Sequence, residues 1–91
     1  MYQVVTTKSF RKSFKKVSKY KNFKEDEFLK VLSLLSSDTE LPAKYKDHAL
    51  VGEYKGFRDL HIAPDIILLY TKIQNILVLE LVNIGSHSEL F

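Results

Sequence analysis

The chain has 91 residues, 45% of them apolar, no cysteine and a formal net charge of +3. A domain of that length buries little more than ~60% of the surface its unfolded chain exposes, so a second domain is excluded and nearly every large apolar side chain is needed for one core over residues 1–91. No apolar run approaches the ~18 residues that cross a bilayer, no apolar segment of a secretory signal follows the N-terminal lysines, and the absence of cysteine excludes disulfides and thiolate metal sites, so the expectation is a cytoplasmic protein without membrane contact.

In chain order, Gln3 to Thr7 is rich in β-branched residues and predicts a short strand. Phe10, Phe14 and Val17 then recur at helical spacing, which predicts an amphipathic helix capped by Thr7 or Ser9. The remainder of that helix is basic. Residues 1–24 carry Lys8, Arg11, Lys12, Lys15, Lys16, Lys19, Lys21 and Lys24 and no acid, so the segment is formally +8 and the rest of the chain −5. Such asymmetry favours a polyanionic partner, nucleic acid first, with Arg11, Lys12, Lys15, Lys16 and Lys19 as candidate contacts. A solvated helix face is the competing explanation.

Asn22 followed by Glu25 resembles a capping box, with Asp26 and Glu27 placed well for the helix dipole. A second helix follows, burying Phe28, Val31, Leu32 and Leu35 and ending at Ser36-Ser37-Asp38. Leu41-Pro42 opens an irregular connection to about His48. From Leu50 the period becomes strand-like: Leu50 to Tyr54, a turn at Lys55-Gly56, then Phe57 to Ile62 with Phe57, Asp59 and His61 on one face and Arg58, Leu60 and Ile62 on the other. Ala63-Pro64-Asp65 turns the chain into Ile66 to Tyr70, continuously apolar as befits a central strand, and Lys72 to Asn75 leads into a last strand, Ile76 to Val82. The tail from Gly85 to Phe91 is short and helical in character. Helices at one end of the chain and a four-strand antiparallel meander at the other predict an α+β domain with both helices on one sheet face.

Polar chemistry concentrates between Asp47 and Ile66. His48, His61 and His87 all lie at element ends, where loops converge, and Asp65 sits across a turn from His61. No histidine pair has zinc-ligand spacing, so no metal is expected, and Ser86 and Ser88 lack a nucleophile context. Gly52 and Gly56 join strands instead of opening a helix, and are turn or bulge positions. Histidines, a carboxylate and an arginine suit RNA cleavage by the substrate's own 2′-hydroxyl: a base takes the hydroxyl proton, a cation stabilises the phosphorane, and an acid protonates the leaving 5′-oxygen. Arg58 and Lys46 are the candidate phosphate contacts. The same residues are compatible with a basic nucleic-acid-binding module that does no chemistry.

Leu41-Pro42, Asp47-His48, Leu50, Gly52, Gly56-Phe57-Arg58-Asp59, His61, Pro64-Asp65, Leu69-Tyr70 and the ending Gly85-Ser86-His87-Ser88-Glu89-Leu90-Phe91 together resemble the YafQ branch of the RelE/ParE toxin superfamily. The resemblance implies a bacterial type II toxin that cleaves mRNA, typically in the ribosomal A site, needs no cofactor and is silenced by a cognate antitoxin, operator DNA being reached only through that antitoxin. It carries over to His48, His61, Asp65, His87 and Phe91 as active-site positions. His87 would be the general acid, with the base among His48, His61 and Asp65, and Phe91 would stack on a base or hold His87 in place. Similar proteins can have tryptophan after the Pro-Asp pair, where this chain has Ile66. A superfamily toxin aimed at another target, such as DNA gyrase, is the alternative within the same fold.

Overall fold

The structure, a computed structural model of all 91 residues, has five strands and three helices. The strands are β1 (Gln3–Thr6), β2 (His48–Ala49), β3 (Arg58–Ala63), β4 (Ile66–Ile73) and β5 (Val78–Gly85), and the helices are α1 (Lys8–Val17), α2 (Glu25–Ser36) and α3 (His87–Leu90). The sheet order is β1-β5-β4-β3-β2. Strands β2 to β5 form the expected antiparallel meander, and β1 joins it in parallel beside β5, with Gln3 opposite Val78 and Thr6 opposite Leu81. That is the predicted α+β architecture.

Thr7 explains how α1 is set on the sheet. Its hydroxyl oxygen accepts the Phe10 amide at 2.9 Å, capping the helix, and donates to the Val82 carbonyl of β5 at 2.6 Å. The first turn of α1 is thereby fastened to the strand on which the helix packs. The second cap differs from the expectation. Asn22 does not cap α2; Lys24 occupies the N-cap without a side-chain bond, and the chain from Val17 to Phe23 is taken up in consecutive turns. Three first-turn acids, Glu25, Asp26 and Glu27, serve the exposed amides electrostatically instead.

Four phenylalanines join the helices. Phe14 lies 5.4 Å from Phe10, 5.1 Å from Phe28 and 5.6 Å from Phe23, measured between ring centroids, within the range where aromatic pairs gain beyond simple burial. Val17, Val31 and Leu35 continue this layer onto Leu60, Ile62, Ile66, Leu68, Tyr70, Leu79, Leu81 and Ile84 of the sheet. The second face of the central strand is closed as well, since Ile67 and Leu69 are also buried. Leu32 is only partly buried at the edge of this core. Ile66, where similar proteins can have tryptophan, is fully buried in the helix-side core, so the departure belongs to packing and not to the face that carries His61.

Several strand boundaries move: the edge strand is His48–Ala49, and β4 runs beyond Tyr70 to Ile73, taking in the start of the expected Lys72–Asn75 turn. Leu50 to Tyr54 is not a strand: pairing stops at Ala49, Gly52 turns the chain with φ +70°, and Gly52–Tyr54 forms a 3₁₀ turn in which Val51 is exposed. The Leu50 amide makes one last bond to the Phe57 carbonyl, at 2.9 Å and in the register of the β2–β3 pair, before Gly52 turns the chain away from β3. The last strand begins at Val78 instead of Ile76 and runs to Gly85, because Gln74–Ile76 forms a 3₁₀ turn and Leu77 adopts φ +52°. Ile76 and Leu77 are exposed, so their hydrophobicity marked no strand face.

The phenylalanine layer is where the fold is most sensitive. Phe28 touches the rings of Phe10, Phe14 and Phe23 and is nearly buried. Phe28→Ala should cost about 3–5 kcal/mol, most of the stability of a domain this size. Urea denaturation should show the midpoint falling with little change in slope; a loss under 1 kcal/mol would mean that the helices are held elsewhere.

Candidate active site

Register places the polar residues. Directly opposed residues in antiparallel strands share a sheet face, and His48 faces Asp59, Asp59 faces Leu69, and Leu69 faces Asn83. One step along, His61 faces Ile67 and Ile67 faces Gly85. His48, Asp59 and His61 therefore lie on the face turned away from α1 and α2. His87 follows Gly85 by two residues, at the end of the same row. Two strand spacings, roughly 10 Å, separate the His61 and Gly85 backbones, a width that admits a ribose and its phosphate.

Within this group the closest approach is between His48 and Asp59. Asp59 is buried, and its Oδ1 lies 3.1 Å from His48 Nδ1. The same nitrogen is 2.8 Å from the Lys46 carbonyl. A carbonyl only accepts, so the proton is on Nδ1 and is directed to Lys46, and the approach to Asp59 is electrostatic, leaving Asp59 Oδ1 without a hydrogen-bond donor. This tautomer leaves His48 Nε2 as the free acceptor. Lys46 presents its carbonyl from a left-handed backbone conformation, φ +51°, uncommon for a residue with a side chain.

His87 opens α3, whose N-cap Ser86 forms a complete capping box with Glu89. Phe91 follows one turn later with its ring 5.2 Å from that of His87 and 5.1 Å, edge-on, from that of Tyr54. The loop after β2 and the C-terminus thus meet through aromatic contact. Asp65 is exposed at the tip of the two-residue turn between β3 and β4, where a register shift bulges the strand between His61 and Ala63. No three histidine, aspartate or glutamate side chains converge as metal ligands.

The predicted cations divide into engaged and free groups. Arg58 is not brought to the histidines: it shares the opposite face with Tyr70, and its guanidinium bonds both oxygens of Asp47, at 3.3 and 3.1 Å. The Tyr70 hydroxyl donates to the same carboxylate, and burial together with that bond pushes its ionisation upward. Arg11 donates to the Thr6 carbonyl and hydroxyl, and Lys16 is 2.5 Å from Glu89. Lys12 and Lys15 on α1 and Lys19 in the turn after it have no acidic partner within 4 Å and remain available. Lys46 joins Lys21, Lys24 and Lys44 in lining a cavity of about 600 Å³ that His61 also borders. The only acid there, Glu27, is held by the Tyr45 hydroxyl and Lys44, the Tyr45 bond contributing most to its lowered pKa.

Asp59 and Glu89 were not among the residues expected to matter. Asp59 carried a signal, an acid alternating with His61 inside a strand of apolar neighbours; Glu89 carried none beyond its spacing from Ser86.

The sequence matches, over residues 2–91, the family described as "Bacterial toxin of type II toxin-antitoxin system, YafQ". It is 40% identical over 73 residues to the mRNA interferase toxin YafQ of Escherichia coli K12, spanning 80% of this chain and 76% of that protein. A metal-bound toxin from Helicobacter pylori superimposes with a TM-score of 0.91 at 41% identity over the whole of both chains. A chain of the E. coli DinJ-YafQ complex does so with a TM-score of 0.85 at 32% identity, covering 100% of this chain and 99% of that one. Fold and site together define a bacterial toxin of the RelE-like class. Within that class the chain belongs to the YafQ family: it is the toxin of a type II toxin–antitoxin system and an enzyme of the mRNA interferase kind.

The ionisation of Glu89 sets a pH limit on α3. The Lys16 bond, then the Ser86 backbone and hydroxyl, bring its pKa from 4.5 down to about 2. Because the folded value is depressed, the stabilisation is complete above the unfolded value and is lost as pH falls from about 4.5 towards 2. NMR should show His87 and Leu90 resonances moving in that window ahead of the Leu68 methyls; simultaneous movement would mean that α3 leaves only with global unfolding.

Proposed function

We propose that this toxin cleaves mRNA on the ribosome by attack of the substrate's 2′-hydroxyl, with His48 as general base and His87 as general acid. In this scheme His48 Nε2 takes the 2′-hydroxyl proton as that oxygen bonds to phosphorus. The phosphorane then loses its 5′-oxygen, which His87 protonates, leaving a 2′,3′-cyclic phosphate and a 5′-hydroxyl. The observation that carries the assignment is the 2.8 Å bond from His48 Nδ1 to the Lys46 carbonyl, which holds the base in the tautomer it needs, with the Asp59 carboxylate behind it to favour the imidazolium once formed. His61, bordering the lysine cavity, contacts the phosphorane, Asp65 supports it from the turn, and Phe91 both aligns His87 and offers a stacking surface. The reaction so written takes no metal or cofactor.

Lys12 and Lys15 on α1, Lys19 just after it and the lysines of the cavity supply the phosphate contacts that dock the toxin on RNA. The solved DinJ-YafQ complex is of a toxin with its antitoxin, and a cognate antitoxin with an acidic segment that orders on binding is the corresponding partner here. No helix is long and apolar enough to cross a membrane, and the cytoplasm, where translating ribosomes are, is the proposed location.

A base must be deprotonated to act and an acid protonated, so the rate should rise with pH on the limb governed by His48 and fall on the limb governed by His87. His48→Ala should flatten the rising limb and His87→Ala the falling one, each lowering single-turnover cleavage by about 10²-fold or more. Programmed ribosomes are the substrate, with thermal melts alongside. An unchanged rising limb in His48→Ala would move the base to His61 or Asp65, and parental rates in both variants would remove the scheme.

A further inference from the structure

Helix α3 carries His87 at its first position, yet it is four residues long and buries none of its side chains. A chain end of that size frays unless something ties it down. Beside the Phe91–Tyr54 ring contact, the polar tie is Glu89, whose two oxygens are used separately. Oε1 accepts the Ser86 amide at 2.8 Å, closing the capping box. Oε2 accepts from Lys16 Nζ at 2.5 Å and from the Tyr20 hydroxyl at 3.2 Å. Lys16 lies in the last turn of α1 and Tyr20 in the turn that follows it, and α1 itself is fastened to β5 through Thr7. Gly85 completes the seat, since a Cβ there would lie 3.1 Å from Glu89 Oε1 and 3.4 Å from its Cβ.

We propose that Lys16 and Tyr20 are positioning residues for His87, acting through Glu89, and not part of the RNA-binding face of α1. Because α3 has no fully buried residue of its own, loss of the Glu89 bonds leaves it held only by the half-buried Leu90 and the edge-on contact of Phe91 with Tyr54, and the acid then samples positions away from the leaving oxygen. A displacement of about 1 Å at a reacting group can cost ~10²-fold in rate. The kinetic part of this inference rests on the cleavage scheme above; the structural part does not.

The two roles for Lys16 predict opposite results. If it positions α3, Lys16→Met and Glu89→Gln should each slow the single-turnover rate at saturating substrate by about tenfold or more, with the Kd for an uncleavable 2′-deoxy RNA little changed. The double variant should be no slower than either single one, since both remove the same link. Lys16→Arg, which keeps a donor within reach, should retain most of the activity. Independently of activity, the His87 and Phe91 ring resonances should move towards disordered values in both single variants while the core methyls stay in place. If Lys16 only binds RNA, Lys16→Met should weaken binding, Glu89→Gln should leave the rate at least parental, and the ring resonances should not shift; that pattern overturns the proposal. Should one single variant fail to fold, the other decides. Absence of cleavage by the parent protein would end the proposed reaction, while the ring resonances would still answer whether Glu89 holds α3.

Discussion

Burial of β4 on both faces is the constraint on which the rest depends. Ile66, Leu68 and Tyr70 point into the helix layer, and Ile67 and Leu69 are covered on the other side. A slip of one residue would exchange the two sets and, through cross-strand pairing, every neighbour in β3 and β5. With the register held, Leu60 and Ile62 enter the core and Asp59 and His61 come to the opposite face, as a consequence of packing and not of any attraction between the polar groups. The site is the part of the sheet that the helices do not need.

A 91-residue domain has little polar interior to spare, and the acids at the margins of the core are tied to particular partners. Asp47 gathers Arg58 and Tyr70 on the helix side, Glu27 gathers Tyr45 and Lys44, and Glu89 gathers Lys16, Tyr20 and Ser86. Asp59 is the exception. It is buried with one oxygen lacking a hydrogen-bond donor and the His48 imidazole 3.1 Å away, an arrangement that costs free energy in the resting protein. That cost falls at the place where the proposed reaction creates an imidazolium.

The N-terminal segment joins two functions. Its phenylalanines and Val17 belong to the core, Thr7 and Lys16 anchor it at either end to β5 and α3, and Lys12, Lys15 and Lys19 are left facing outward. The charge available to RNA is therefore smaller than the count of lysines suggests. The cavity bounded by Lys21, Lys24, Lys44 and Lys46 adds a second basic surface, which draws residues from two segments far apart in the chain.

The sequence by itself determined the two long helices and the central strand: the 3.6-residue spacing of Phe10, Phe14 and Val17, with a cap at Thr7 or Ser9, and the unbroken apolar run from Ile66 each have one favourable structural solution within a few residues. It also showed which side of the Phe57–Ile62 stretch His61 shares with Asp59, because alternation along a strand is local. Only the tertiary structure decided which apolar runs became strands, for Leu50 to Tyr54 had strand-like composition yet is turned away from β3 at Gly52, while β1 found its parallel partner 75 residues away. Only it separated the engaged cations, Arg11, Lys16 and Arg58, from the free ones, and brought Asp59 to His48 and Glu89 to Lys16. The reason is physical: periodicity records what a segment must bury, whereas the partner of a charge is chosen by whichever distant carboxylate or carbonyl the packed core carries into contact with it.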